Sequence, residues 1–397
     1  MELIPPYIPD DMKLESQVRD AQPRNHTLPF DVLGLIFHHI SKLSLVDLQP
    51  ILFVCHSWHE AVCHHSSLWS DIKLDYTFYT RFSVGGTFQE PRASNYLRCC
   101  LKYSGIMPLD ITLDFRQFTE PKVYFMGTRK ATRWIGNNET RIIPLLKVLV
   151  GQDEEHLVRW RSFTWRSSRK KESITIALSF LPSTIPNLQT TKFFDVFHLN
   201  KRHSAFPTCP NLQTVQLHKC NQFILRDNDF SHVTELKLGT HHMWYRRDVK
   251  VLRIFSNVRR LTIYTVEYSG FTKPYKDSTM AEVPFPHLHS LRLHGGPALK
   301  LVRLLKTPKL KELEFDKVSS IDVLEDVSLA STIETAHIQI RQCDIDSEVN
   351  ISEKIMGLLT AAPLLQRLRV PKWLHEELEN GALCLEERRV HLEVVPG

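Results

Sequence analysis

The apolar positions of this chain change their spacing along its length. Residues 1–26 mix Pro and charges without a sustained period, the pattern of a disordered tail. Val32, Leu33, Ile36, Phe37 and Ile40 then recur at helical spacing, with Thr27 as a cap and Pro29 suited to the first turn. Ser44 caps a short second segment carrying Leu45 and Leu48. Pro50 suits the start of a third helix, with Ile51, Leu52, Val54, Cys55, Trp58 and Val62 on its apolar side. Leu68-Trp69 and Ile72-x-Leu74 close this block at residue 74. Residues 75–106 read as a connector, with turn signals at Gly85-Gly86 and Pro91. Tyr96, Leu97, Cys100, Leu101 and Tyr103 predict a helix within it. MPLDITLDF at 107–115 is a first strand, separated by an inserted helical stretch from the next.

From Trp160 onward a pattern recurs, an anchor followed at the third and fifth positions by apolar residues. It appears in WRSFTW, LQTTKF, LQTVQL, VTELKL, VRRLTI, LHSLRL, LKELEF, IETAHI and LQRLRV. The anchors are residues 160, 188, 212, 233, 258, 288, 310, 333 and 365, with gaps of 21 to 32. One short strand per period of this size is the signature of a leucine-rich-repeat solenoid, which residues 107–397 are expected to form. Pro186, Pro210, Pro286, Pro308 and Pro363 precede anchors and are expected to end the returning helix. VHLEVV at 390–395 fits a capping strand. The fold class is thus α/β: a small N-terminal all-α unit, then a leucine-rich-repeat-like solenoid with a parallel sheet.

The N-terminal unit carries more specific residues. Leu28-Pro29, Leu33, Ile36, Leu48, Val54-Cys55, Trp58 and Leu68-Trp69 occur in one order over residues 27–74, which closely resembles the F-box. Asp31 stands where that family usually has Glu, and Pro50 bears on the length of the middle helix. The resemblance implies docking on a Skp-type adaptor of a cullin–RING ubiquitin ligase. Leu28, Pro29, Asp31, Leu33, Ile36, Leu48, Val54, Cys55, Trp58, Leu68 and Trp69 are the implied adaptor-binding set.

Composition narrows the alternatives. With 42% hydrophobic and 24% charged residues, the chain is globular rather than disordered. The most apolar stretch, residues 142–150, is too short to span a membrane, and no basic-then-apolar leader opens the chain. A soluble protein of the cytoplasm, the nucleus or both is expected. The net charge of +6 is mild, so the short clusters at Arg166, Arg169, Lys170, Lys171 and Arg246, Arg247 read as solvated surface, which argues against nucleic acid. Eight Cys include no CxxC pair. Cys55, His59 and Cys63 share a helical face with ligand-like spacing. Cys55 already belongs to the F-box pattern, and no further ligand-bearing segment is evident, so no metal and no cofactor is expected. No G-x-S-x-G, Walker loop, GxGxxG or HExxH occurs, and no catalytic residue is assigned.

Strand alternation also identifies an open face. Its client-binding candidates are Lys192, Phe194, Lys237, Arg260, Tyr264, Arg292, His294, Glu312, Glu314, Asp316, Arg367 and Arg369. Their charge runs basic, acidic, then basic. Taken with the resemblance, the expected role is client recruitment for ubiquitination. An F-box scaffold acting outside ubiquitination, and a metal- or nucleic-acid-binding protein, stay open as alternatives.

Overall fold

The computed structural model describes residues 28–41, 48–84, 87–115, 138–166, 180–196, 206–218, 220, 229–240, 252–265, 283–295, 305–316, 332–339, 355, 357–360, 362–380 and 390–395. The expected tail over 1–26, the Thr27 and Ser44 caps, Leu45, the Gly85-Gly86 turn and the clusters at 169–171 and 246–247 lie outside these residues. Two compact units divide the chain: Met1–Leu188 with Arg202–Cys209, and Gln189–Lys201 with Pro210–Gly397.

The first unit opens with helices α1 (Phe30–Ser41), α2 (Leu48–Ile51) and α3 (His56–His64), then a 3-10 turn at Ser66–Trp69. Leu33 and Phe37, one helical turn apart, are buried, and Phe37 meets Trp58 edge-on at 5.3 Å. The Trp69 indole N–H donates to the Val62 carbonyl at 2.8 Å. The third helix starts six residues later than Pro50. Pro50 instead lies inside α2, where first-turn N–H groups have no helical partner to lose. Phe53 and Val54 leave α2 in tight turns, and Cys55 is the extended residue before α3.

Ile72-x-Leu74 is a strand rather than the close of a helical block. β1 (Asp71–Leu74) pairs in parallel with β4 (Leu109–Asp114), placing Ile72 beside Ile111 and Leu74 beside Leu113. β4 pairs in parallel with β5 (Trp160–Arg166). The helical unit therefore continues directly into a sheet. A block this small cannot bury enough surface alone.

The segment expected as a connector is folded. It forms α4 (Tyr76–Arg81), the hairpin β2 (Ser83–Val84) and β3 (Thr87–Phe88), and α5 (Glu90–Tyr103). Asp75 caps α4 by accepting from the Phe78 amide at 3.0 Å, and Pro91 sits in the first turn of α5. Phe78, Tyr79, Phe88, Leu97 and Cys100 are buried. The expected inserted helix is α6 (Asn138–Val150), packed against α5. Arg159 reaches back to the turn after α5, donating to Ser104 Oγ at 2.6 Å and to the Met107 carbonyl at 3.1 Å.

Among the described residues, the second unit carries nine parallel strands in the order β6 (Thr190–Phe194), β7 (Thr214–His218), β8 (Glu235–Thr240), β9 (Arg260–Thr265), β11 (Ser290–His294), β13 (Glu312–Asp316), β14 (Thr335–Gln339), β15 (Arg367–Pro371) and β16 (His391–Val395). The short strands β10 (Val283–Pro284) and β12 (Leu305–Lys306) pair separately, and α7 (Lys372–Asn380) packs on β15 and β16. All nine anchors are at most 4% exposed, and the third and fifth positions after each are buried as the alternation predicts.

The structure adds a position to the repeat. The residue three before an anchor is also buried: Leu157, Ile185, Cys209, Phe230, Phe255, Phe285, Thr307 and Ala362. In several rungs its carbonyl accepts the anchor's amide, as from Phe285 to Leu288 at 3.2 Å and from Thr307 to Leu310 at 3.2 Å. The Pro between them is therefore the second residue of a β-turn, where its fixed φ is favoured, rather than a helix stop. Asn187 and Asn257 donate side-chain N–H groups to the Val158 and Ser231 carbonyls at 2.6 and 2.7 Å, tying one rung to the previous one.

Candidate functional site

Helix α1 divides its apolar residues between two directions. Leu33 and Phe37 point into the unit, whereas Leu28, Phe30, Val32, Leu35 and Ile36 are exposed, Leu35 by 68%. Phe53 and Val54, in the turn between α2 and α3, are each 57% exposed. Seven of the thirteen large hydrophobic residues exposed among the described residues thus fall within residues 28–54. Exposed apolar surface concentrated in this way marks an interaction site rather than ordinary surface.

Local packing holds this edge. Gly34 has no side chain, so the His65 ring lies across α1; a Cβ at Gly34 would come within 2.4 Å of it. The ring stacks on Phe30 at 4.7 Å, and its Nε2 lies 3.2 Å from the Phe30 carbonyl oxygen.

Of the adaptor-binding set, Leu28, Pro29, Asp31, Ile36, Val54 and Cys55 are exposed. Leu33, Leu68 and Trp69 are instead core, because their side chains fill the space among α1, α3 and the following turn. Trp58 is half-buried against Phe37. Leu48 lies in α2, and its side chain is outside the described residues. Phe30, Val32, Leu35 and Phe53 are exposed and lie outside the set. Phe30 directly follows Leu28-Pro29, but helical periodicity alone does not tell which side of a doubly apolar helix is covered.

On the second unit, pairing brings the client-binding candidates into columns. Arg260, Ser290 and Glu312 are in register, as are Arg292 with Glu314 and Tyr264 with His294 and Asp316. Much of the charge is spent within the face. Glu235 lies 2.9 Å from Lys237 and 3.5 Å from Arg260; burial opposes its ionisation, yet these cations hold its carboxyl below the usual range. Arg292 lies 3.1 Å from Glu314 and 3.5 Å from Asp316, and Arg369 lies 2.6 Å from Glu393. Arg292 is thus engaged by acidic neighbours, so reversing it would disturb the sheet as well as any ligand. Lys192 and Glu312 make no ion pair among the described residues.

Aromatic residues form a second column. Phe194 and His218 have ring centroids 5.9 Å apart, and Tyr264 stacks on His294 at 4.6 Å. Between these pairs stands Gly239, over which His218 leans; a Cβ there would come within 2.2 Å of its Nδ1. Asp316 and Thr262, outward by alternation, are 6% and 8% exposed because neighbouring rungs cover them.

The thiols separate by environment. Cys55 is exposed, and the Cys63 sulfur lies 3.9 Å from the His59 ring nitrogens. No group of three or more His, Cys, Asp or Glu is placed to hold a metal ion among the described residues. Burial pushes Cys100, Cys209 and Cys220 each up to about 12. Brief iodoacetamide labelling at pH 8 is expected to modify Cys55 at least about tenfold faster than these three, as read by peptide mass spectrometry. Equal labelling in native and unfolded protein would contradict the burial.

No described helix is long and apolar enough to cross a membrane. Residues 26–75 match the family model of F-box-like domains. No curated protein matches the chain. The chain therefore carries an F-box-like domain, a protein-interaction module, and the uncovered apolar residues of α1 and of the turn before α3 belong to it.

Proposed function

We propose that this chain is the substrate-recognition adaptor of an SCF-type cullin–RING ubiquitin ligase. Its F-box-like domain docks a Skp-type adaptor, and its repeats form a leucine-rich-repeat-like solenoid that binds a client protein. The concentration of exposed apolar side chains on a folded F-box-like unit carries this reading: apolar surface gathered in this way is the mark of a protein-docking site. The regular open face of the second unit supports the client-binding half, since stacked repeats present long surfaces suited to protein ligands. Ligation chemistry belongs to other subunits, and no residue here is given a catalytic role. The protein acts in the cytoplasm, the nucleus or both.

Affinity purification of the full chain with mass spectrometry tests this function. A Skp-type adaptor and a cullin should co-purify in stable amounts. Recovery of the adaptor without a cullin would favour a scaffold acting outside ubiquitination. Recovery of neither would refute the reading.

A further inference from the structure

The open face of the second unit holds one rung whose outward residues are all acidic: Glu312, Glu314 and Asp316 on β13. Resting on the client-binding reading above, we propose that this rung is the receptor for a basic segment of the client, a Lys or Arg side chain seated over β11, β13 and β14.

Charge favours a cation here. Among the described residues, Glu314 and Asp316 share one guanidinium, that of Arg292, with the His294 and His337 rings beside them. Glu312 is exposed and makes no ion pair among the described residues. Arg292 is shared, with its Nη2 at 3.1 Å from Glu314 and a longer 3.5 Å from Asp316. An arriving cation that takes Asp316 leaves Arg292 with Glu314 at the shorter distance, so a long ion pair is exchanged for a new one.

Hydrogen bonding points the same way. The Asp316 side chain is only 9% exposed, and its Oδ1 is buried without a hydrogen-bond partner. Arg292 Nε and His337 Nε2, on the two flanking strands, are also buried without one. Buried polar atoms of this kind are rarely left unpaired. Of these, Asp316 Oδ1 is an acceptor that lacks a donor, whereas Arg292 Nε is itself a donor and is not served by a cation. A Lys ammonium or an Arg guanidinium brings several N–H donors to an unpaired carboxylate oxygen. The Tyr264–His294 stack borders the rung and adds an aromatic wall suited to an organic cation. A nucleic acid backbone would instead meet like charge at this rung.

The test uses the full-length chain and two fluorescein-labelled decapeptides, one alternating Lys with Ser and the other Glu with Ser, followed by fluorescence anisotropy. The chain has a net charge of +6, so bulk attraction favours the Glu peptide. The Lys peptide is nonetheless expected to bind at least about tenfold more tightly at low salt, with the preference shrinking as salt rises. Glu312→Gln with Glu314→Gln should remove about tenfold of that affinity. Glu312→Lys alters an exposed, unpaired side chain and should cost about fivefold even where the double variant folds poorly. Preference for the Glu peptide, binding of neither peptide, or equal Lys-peptide binding by wild type and Glu312→Lys would overturn the proposal. Adaptor binding by the same samples is read separately. Its loss in wild type refutes the ligase reading, whereas peptide failure with adaptor binding intact refutes only the basic-client inference.

Discussion

Replacing Leu28 and Pro29 together by alanine is expected to weaken binding to a Skp-type adaptor about 30-fold, equivalent to about 2 kcal/mol. Both residues are exposed at the entry to α1, so the loss falls on the contact rather than on the core. The helix keeps its first main-chain bond, since the Leu33 amide donates to the residue 29 carbonyl at 3.1 Å and alanine retains that carbonyl. Calorimetry or surface plasmon resonance with the purified adaptor reads the change, and unchanged far-ultraviolet circular dichroism shows that the fold is kept. Wild-type affinity in the double variant would remove the docking proposal. Leu33, Leu68 and Trp69 are unsuitable for this test because they are buried, and their truncation would unfold the unit. Trp58 is intermediate, half-buried against Phe37.

The largest loss of stability is expected from Trp160→Ala, about 3–5 kcal/mol. Trp160 is fully buried at the first anchor, stacked on Phe163 at 5.6 Å, and its indole N–H donates to the Leu149 carbonyl at 3.3 Å. Alanine leaves a large cavity between β5 and α6 and orphans the α6 carbonyl. Trp160→Phe keeps most of the volume and loses only the donor, so about 1–3 kcal/mol is expected. Urea unfolding midpoints at constant slope measure both variants. An alanine variant within about 1 kcal/mol of wild type would mean that the cavity had collapsed at little cost, contrary to the packing described.

The strands were legible because each rung repeats a local rule. An anchor, two alternating apolar residues and their polar partners specify which side is buried, and a one-residue slip would turn every rung inside out. Within residues 75–106 only the helix carried by Tyr96, Leu97, Cys100, Leu101 and Tyr103 was legible, and the packing of the segment was not. Its burial depends on contacts distant in sequence, such as Tyr79 with Phe115 at 6.2 Å and Arg159 with the turn at Ser104. β1 was hidden for the same reason. Four residues have too little pattern to distinguish a strand from the end of a helical block until β4 arrives to pair with them.

The candidate site divides in the same way. Sequence alone located the F-box-like block at its anchors, the positions of the repeated strands and the residues that alternate outward along them, because those features follow from local spacing and backbone periodicity. Only the tertiary structure decided which apolar residues of α1 are uncovered, that Leu68 and Trp69 are core, and that Arg292 is held between two carboxylates. Each depends on what a side chain meets across space. Burial and ion pairing are properties of neighbours brought together from distant positions, and a helix with apolar residues on two sides carries no local record of which side the rest of the chain will cover.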